Sequence, residues 1–123
     1  MPRVLIVDDS LTVRNIVKGY LLKMEGKEFQ ILTAVNGEEA LAILEKDRVD
    51  LILTDFEMPK LDGFSMLQKI KTHPVLSSIP VIVISAMTNA KKREFEELGY
   101  PRVVFKPIEE EKLRAYLEEA LKV

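Results

Sequence analysis

Short apolar runs alternate with longer segments of helical period along the whole chain. The runs Val4–Val7, Ile31–Val35, Leu51–Thr54, Val81–Ser85 and Arg102–Phe105 read as strands. The first, third and fourth are nearly all apolar, the pattern of strands covered on both faces, so these three are expected at the centre of a sheet. After the first run, Val13, Ile16, Val17, Tyr20, Leu21 and Met24 fall on one helical stripe, with Ser10 or Thr12 available as its N-cap. Glu38–Lys46 and Phe64–Lys71 read as shorter helices, and a polar segment from about Asn89 to Leu98 reads as a further helix stopped by Gly99. Leu113, Tyr116, Leu117, Ala120 and Leu121 stripe the last one. Five strands and five helices in strict alternation, joined by right-handed crossovers, predict an α/β domain: a doubly wound, five-stranded parallel sheet between two helical layers. Pro59, Pro74, Pro80, Pro101 and Pro107 all fall between elements, and no low-complexity stretch offers a linker, so residues 1–123 are expected to form a single domain.

Composition narrows the chemistry more than the fold. Lys plus Arg is 18 and Asp plus Glu is 20, a net charge of −2, too balanced for non-specific attraction to nucleic acid or anionic lipid. Cysteine is absent, which excludes disulfides, thiol catalysis and thiolate metal sites, and the lone His73 cannot build a multi-histidine zinc site. Apolar runs such as Val4–Val7 and Val81–Ile84 are four residues long, against about 20 for a bilayer span. The N-terminus enters a strand-like run directly, without the apolar core of a signal peptide, and a cytoplasmic location is expected.

In an open parallel sheet, the loops after the strands converge on one crevice, so the polar residues that end apolar strands are the ones to inspect. The first strand runs into Asp8 and Asp9, the third into Asp55, the fourth into Ser85 and the fifth into Lys106. Taken singly, each has a bland reading: Asp8 and Asp9 as a polar stop before a helix N-terminus, Asp55 as a turn residue, Ser85 as a small packed side chain. Their joint placement at four strand ends argues for function. Three carboxylates held together repel one another unless a hard cation neutralises them, and oxygen ligands without His or Cys select Mg²⁺ or Mn²⁺. Mg²⁺ shares its coordination readily with phosphate, while a lysine and a hydroxyl suit phosphoryl oxygens, so all five groups fit phosphoryl chemistry. Asp55, on a central strand, is the natural acceptor, since a carboxylate can attack phosphorus to form an acyl phosphate.

The stretches Val4-Leu-Ile-Val-Asp-Asp-Ser10, Leu51-Ile-Leu-Thr-Asp-Phe-Glu-Met-Pro-Lys-Leu-Asp-Gly63, Ile84-Ser-Ala86 and Phe105-Lys-Pro107 occur in the order and near the spacing of one family. Over essentially its whole length the chain resembles a response regulator receiver domain of two-component signalling, closest to the single-domain chemotaxis type. The resemblance implies a flavodoxin-like strand order 2-1-3-4-5 and Asp55 as the phosphorylated residue. It implies Mg²⁺ bound by Asp8, Asp9 and Asp55, with a backbone carbonyl from Glu57. Ser85 would occupy the Ser/Thr switch position and Lys106 would pair with the phosphoryl oxygens, beside a cis Lys106–Pro107 bond. The implied partners are a sensor histidine kinase or phosphotransfer protein and a downstream protein target, in a signalling switch and not an enzyme. By this reading the chain, ending two residues after Leu121, looks complete as a receiver without an output domain. One position departs from the pattern: three residues before the lysine the family usually carries Tyr or Phe, and here Val103 stands. Phe105 shares its strand parity but lies two residues nearer the site. The segment from Ala86 to Gly99 also looks about one residue short.

Two other uses of a parallel sheet fit less well. A haloacid dehalogenase-type phosphatase wants D-x-D after its first strand, whereas Asp8 and Asp9 are adjacent. A flavodoxin wants a Ser/Thr/Gly-rich first loop to cradle a phosphate, which this acidic pair would repel. Lys91-Lys92-Arg93 most simply forms a solvated helix face, although in the resembled family that region docks partners. His73 is assigned no role.

Overall fold

The computed structural model describes residues 2–24, 28–55, 63–85, 97, 99–100, 102–106 and 108–121. Five parallel strands, β1 (Arg3–Val7), β2 (Gln30–Ala34), β3 (Leu51–Asp55), β4 (Val81–Ser85) and β5 (Val103–Phe105), form one sheet in the order β2-β1-β3-β4-β5. The three strands read as central, β1, β3 and β4, are the internal ones. Four helices are described: α1 (Leu11–Leu22), α2 (Gly37–Lys46), α3 (Gly63–Thr72) and α4 (Glu110–Leu121). The helix expected from about Asn89 to Leu98 lies almost wholly outside the described residues. Glu97 is helical, and Gly99 has a φ of 90°, the left-handed conformation of a helix-ending glycine.

Alternation along the strands divides the core in two. Leu5, Ile52 and Val83 point to one face, where they pack with Ala40 and Leu44 of α2 and Met66, Leu67 and Ile70 of α3. Val4, Leu53 and Ile84 point to the other, against Val17 and Leu21 of α1 and Leu113 and Leu117 of α4. Each fully buried Leu or Ile contributes about 1.5–3 kcal/mol relative to exposure, and every residue of β3 and β4 is buried. The register pairs Val7 with Thr54, Asp55 with Ile84 and Ser85 with Phe105, so the ends of the internal strands stay level. That levelness brings their polar last residues to one edge.

Local signals start the helices. Ser10 caps α1, its Oγ accepting from Val13 N at 3.3 Å, and Asn36 caps α2 by accepting from Glu39 N at 2.8 Å. β2 stops at Ala34, one residue before its expected end, because the chain turns there into the Asn36 cap and leaves Val35 38% exposed. His73 plays a structural part, since its Nδ1 accepts from the N–H groups of Val75 and Leu76, both at 3.1 Å, at the 3₁₀ turn Leu76–Ser78 that leads into β4. Tyr100 donates its hydroxyl to Leu67 O at 2.9 Å and lies under the Lys71 ammonium, tying the chain ahead of β5 to α3. Among the described residues no helix is long and apolar enough to cross a membrane.

Candidate functional site

Asp8, Asp9, Asp55, Ser85 and Lys106 all lie at or just beyond the C-terminal ends of β1, β3, β4 and β5. The three aspartates form an acidic cluster in which one carboxylate oxygen from each lies within 4.8 Å of the others. Lys106 Nζ sits 3.4 Å from Asp55 Oδ2 and 3.6 Å from Asp8 Oδ2, bridging the first and third strand ends. Asp8 and Asp55 are 2% and 4% exposed, Ser85 is fully buried and Asp9 faces solvent. Ser85 lies one step beyond Ile84, the register partner of Asp55, and its carbonyl accepts from Lys106 N at 2.8 Å, so the hydroxyl-bearing and lysine-bearing strands are joined at the site. Thr54, also fully buried, satisfies its hydroxyl by donating to the Asp55 carbonyl at 2.8 Å. Glu57 and Pro107, and with them the expected carbonyl ligand and cis bond, lie outside the described residues.

Asp8 is held at several points. Its N–H donates to Ala34 O at 3.1 Å, its Oδ1 accepts from Ser10 N at 2.8 Å, and its carbonyl accepts from Arg14 Nη1 at 2.6 Å. Its buried Oδ2 is held only by the 3.6 Å ion pair with Lys106, longer than a hydrogen bond. Ser10 is the N-cap of α1, so Asp8 and Asp9 lie just ahead of the helix and outside its first turn. Burial, reinforced by the charge of Asp9, raises the Asp8 carboxyl above the ordinary value of 3.8, against the opposing pull of Ser10 N–H and the Lys106 ammonium. A buried carboxylate oxygen held only by its ion pair with Lys106, two further carboxylates within reach and no nitrogen or sulfur ligand in the cluster together fit a hard divalent cation.

The raised Asp8 value carries a sign. The folded chain binds the Asp8 proton more tightly than the unfolded chain does, so ionised Asp8 costs stability at neutral pH, and that cost is relieved as pH falls through the raised value. Asp8→Asn is therefore expected to raise the melting midpoint of the metal-free protein at pH 7. The gap to wild type should narrow as pH falls toward 3.8, where wild type recovers its own stability by protonation. Thermal melts of both proteins across that range check this, and a gap that widens on acidification would contradict it.

Val103, at the position where Tyr or Phe was expected, is fully buried against the α2/α3 face of the sheet. Phe105 points to the same face but is only half-buried, its ring centroid 5.8 Å from Lys112 Nζ on α4. The aromatic residue thus stands next to Lys106 in the chain, two positions on from Val103.

A parallel sheet of this order, with an acidic pocket and a lysine at the ends of its internal and edge strands, defines a receiver domain. The profile of the family described as response regulator receiver domain matches residues 4–118, and the chain belongs to that family, the signalling domain of two-component response regulators. It is 34% identical over 117 residues to a protein named as a probable chemotaxis protein CheY from Rhizobium etli, covering 94% of this chain and 89% of that one. It is 42% identical over 91 residues to a gliding motility regulatory protein of Myxococcus xanthus, covering 74% of this chain but only 11% of the length of that protein. Among solved structures, the chemotaxis response regulator CheY4 of Vibrio cholerae superposes with a TM-score of 0.85 at 31% identity, covering 98% of this chain and 99% of that one.

Proposed function

We propose that residues 1–123 form one receiver domain that accepts a phosphoryl group on Asp55 from the phosphohistidine of a sensor histidine kinase or phosphotransfer protein, with Mg²⁺ held by Asp8, Asp9 and Asp55 and by the carbonyl of Glu57. The observation that carries this reading is the Lys106 ammonium set between the Asp8 and Asp55 carboxylates, at 3.6 and 3.4 Å, with the Asp9 carboxylate within reach of both. An Asp55 carboxylate oxygen forms the new bond to phosphorus as the P–N bond of the donor breaks. The electron pair of that bond remains on the imidazole nitrogen, which takes up a proton from water. When bound, Mg²⁺ supplies positive charge to the phosphoryl oxygens and to the acidic cluster. The chain's own residues do the rest: Asp8 and Asp9 hold the cation, Lys106 pairs with a phosphoryl oxygen, and the Ser85 hydroxyl turns toward another. These contacts exist only once the phosphoryl group is present, so they bias the domain toward a second conformation and thereby control binding of a downstream protein. On this reading the exchange takes place in the cytoplasm.

Incubation with acetyl phosphate and Mg²⁺, followed by intact-mass measurement, is expected to add one phosphoryl group, and chelating the metal should prevent the addition. Equal labelling with and without chelator would remove the cation from the reading.

A further inference from the structure

Besides the ion pair of its Oδ2 with Lys106, Asp8 is tethered at three points: N–H to Ala34 O, Oδ1 to Ser10 N–H, and the carbonyl to the Arg14 guanidinium. The third tether comes from a side chain outside the acidic cluster. Arg14 is half-buried in the first turn of α1, where its own N–H donates to Ser10 O at 3.0 Å, and its side chain reaches back to the end of β1. The carbonyl that it holds at 2.6 Å belongs to the peptide joining Asp8 to Asp9.

We propose that Arg14 is a positioning residue of the cation site: by fixing the plane of the Asp8–Asp9 peptide it sets the direction in which both carboxylates are presented. A peptide unit is planar, so fixing its carbonyl fixes the last backbone angle of Asp8 and the first of Asp9 together. Asp8 is also oriented by its burial and by Ser10. Asp9 is exposed, and its direction depends far more on the backbone that carries it. The rigid fork of a guanidinium suits this role, since it can hold a carbonyl with little loss of freedom on forming the bond. The inference rests on the reading of Asp8, Asp9 and Asp55 as cation ligands.

Charge and positioning make opposite demands. Arg14 is a cation close to a cation site, so through charge alone its removal would tighten Mg²⁺ binding. Through positioning, its removal loosens the ligand pair and weakens binding. Groups that orient ligands from outside the coordination shell typically affect metal affinity by about 10- to 100-fold.

The test is Mg²⁺ binding by titration calorimetry on wild type, Arg14→Gln and Arg14→Lys, with a melting midpoint recorded for each in the absence of metal. Arg14→Gln is expected to raise the Kd for Mg²⁺ about tenfold, with Arg14→Lys, which keeps a donor, between it and wild type. A Kd for Arg14→Gln that is unchanged or lower overturns the proposal, even if the midpoint falls, because a merely structural tie would move the melt and leave the affinity alone. Should Arg14→Gln fail to fold, the Kd of Arg14→Lys decides, and equality with wild type overturns the proposal. Wild-type protein that binds no Mg²⁺ overturns the cation reading and this inference together, whereas binding by wild type with unaffected variants overturns this inference alone.

Discussion

Asp55→Asn is expected to reduce phosphoryl incorporation from acetyl phosphate and Mg²⁺ to background, while the chain stays folded. Asn is close to Asp in size and shape, so the packing of a side chain only 4% exposed at the end of a fully buried strand should survive the change. What the amide lacks is the negative charge that makes a carboxylate oxygen nucleophilic toward phosphorus. The loss should therefore be complete and should not be repaired by more Mg²⁺ or more donor. Intact-mass measurement on the variant, next to a melt showing a midpoint near that of wild type, checks both halves. Full labelling of the variant would place the acceptor on another residue.

Lys106→Ala acts in the opposite manner, sparing the chemistry and altering the conformational response to it. The Lys106 ammonium stands within 3.6 Å of two nearly buried carboxylates, and without metal it is their neutralising charge. Its removal is expected to cost the metal-free protein on the order of 1–3 kcal/mol, less than a wholly buried pair would lose because the lysine itself keeps some contact with solvent. That corresponds to a fall of roughly 3–12 °C in the melting midpoint. The carboxylates so released should bind Mg²⁺ more tightly, so added Mg²⁺ should stabilise the variant more than it stabilises wild type. Phosphoryl incorporation should continue, while the spectral difference between phosphorylated and free protein, read from amide resonances, should largely disappear. If that difference is as large in the variant as in wild type, Lys106 does not carry the response. The affinity change also separates the two basic residues of the site, since loss of Lys106 tightens Mg²⁺ binding and loss of Arg14 weakens it.

The parts of this architecture legible in one sequence are those written in short-range patterns. Val4–Val7, Leu51–Thr54 and Val81–Ile84 are apolar at every position or nearly so, and only strands covered on both faces have that need, which is why the central strands and their polar ends could be placed together. Motif spacing then gathered Asp8, Asp9, Asp55, Ser85 and Lys106 at one edge, and the sheet order agreed. Choosing Ser10 over Thr12 as the cap of α1 required the backbone, because both residues offer a suitable hydroxyl. Arg14, His73 and Tyr100 were invisible for a deeper reason. Each acts on a backbone group, Asp8 O, the N–H groups of Val75 and Leu76, and Leu67 O, and a main-chain partner leaves no trace in residue types. Arg14 is one basic residue on a helix among several, and only its 2.6 Å contact distinguishes it.

The order β2-β1-β3-β4-β5 also has a temporal meaning. The bridged groups Asp8, Asp55 and Lys106 are separated along the chain by 47 and then 51 residues, and they meet only because β1 lies between later strands and β5 closes the far edge. A nascent chain leaving the ribosome carries both of the bridged carboxylates long before the ammonium that sits between them. Until Lys106 has emerged and β5 has docked, those carboxylates share no lysine and the hydroxyl-bearing strand lacks one of its two neighbours. The response to a phosphoryl group, which rests on Lys106, therefore arrives with the last strand.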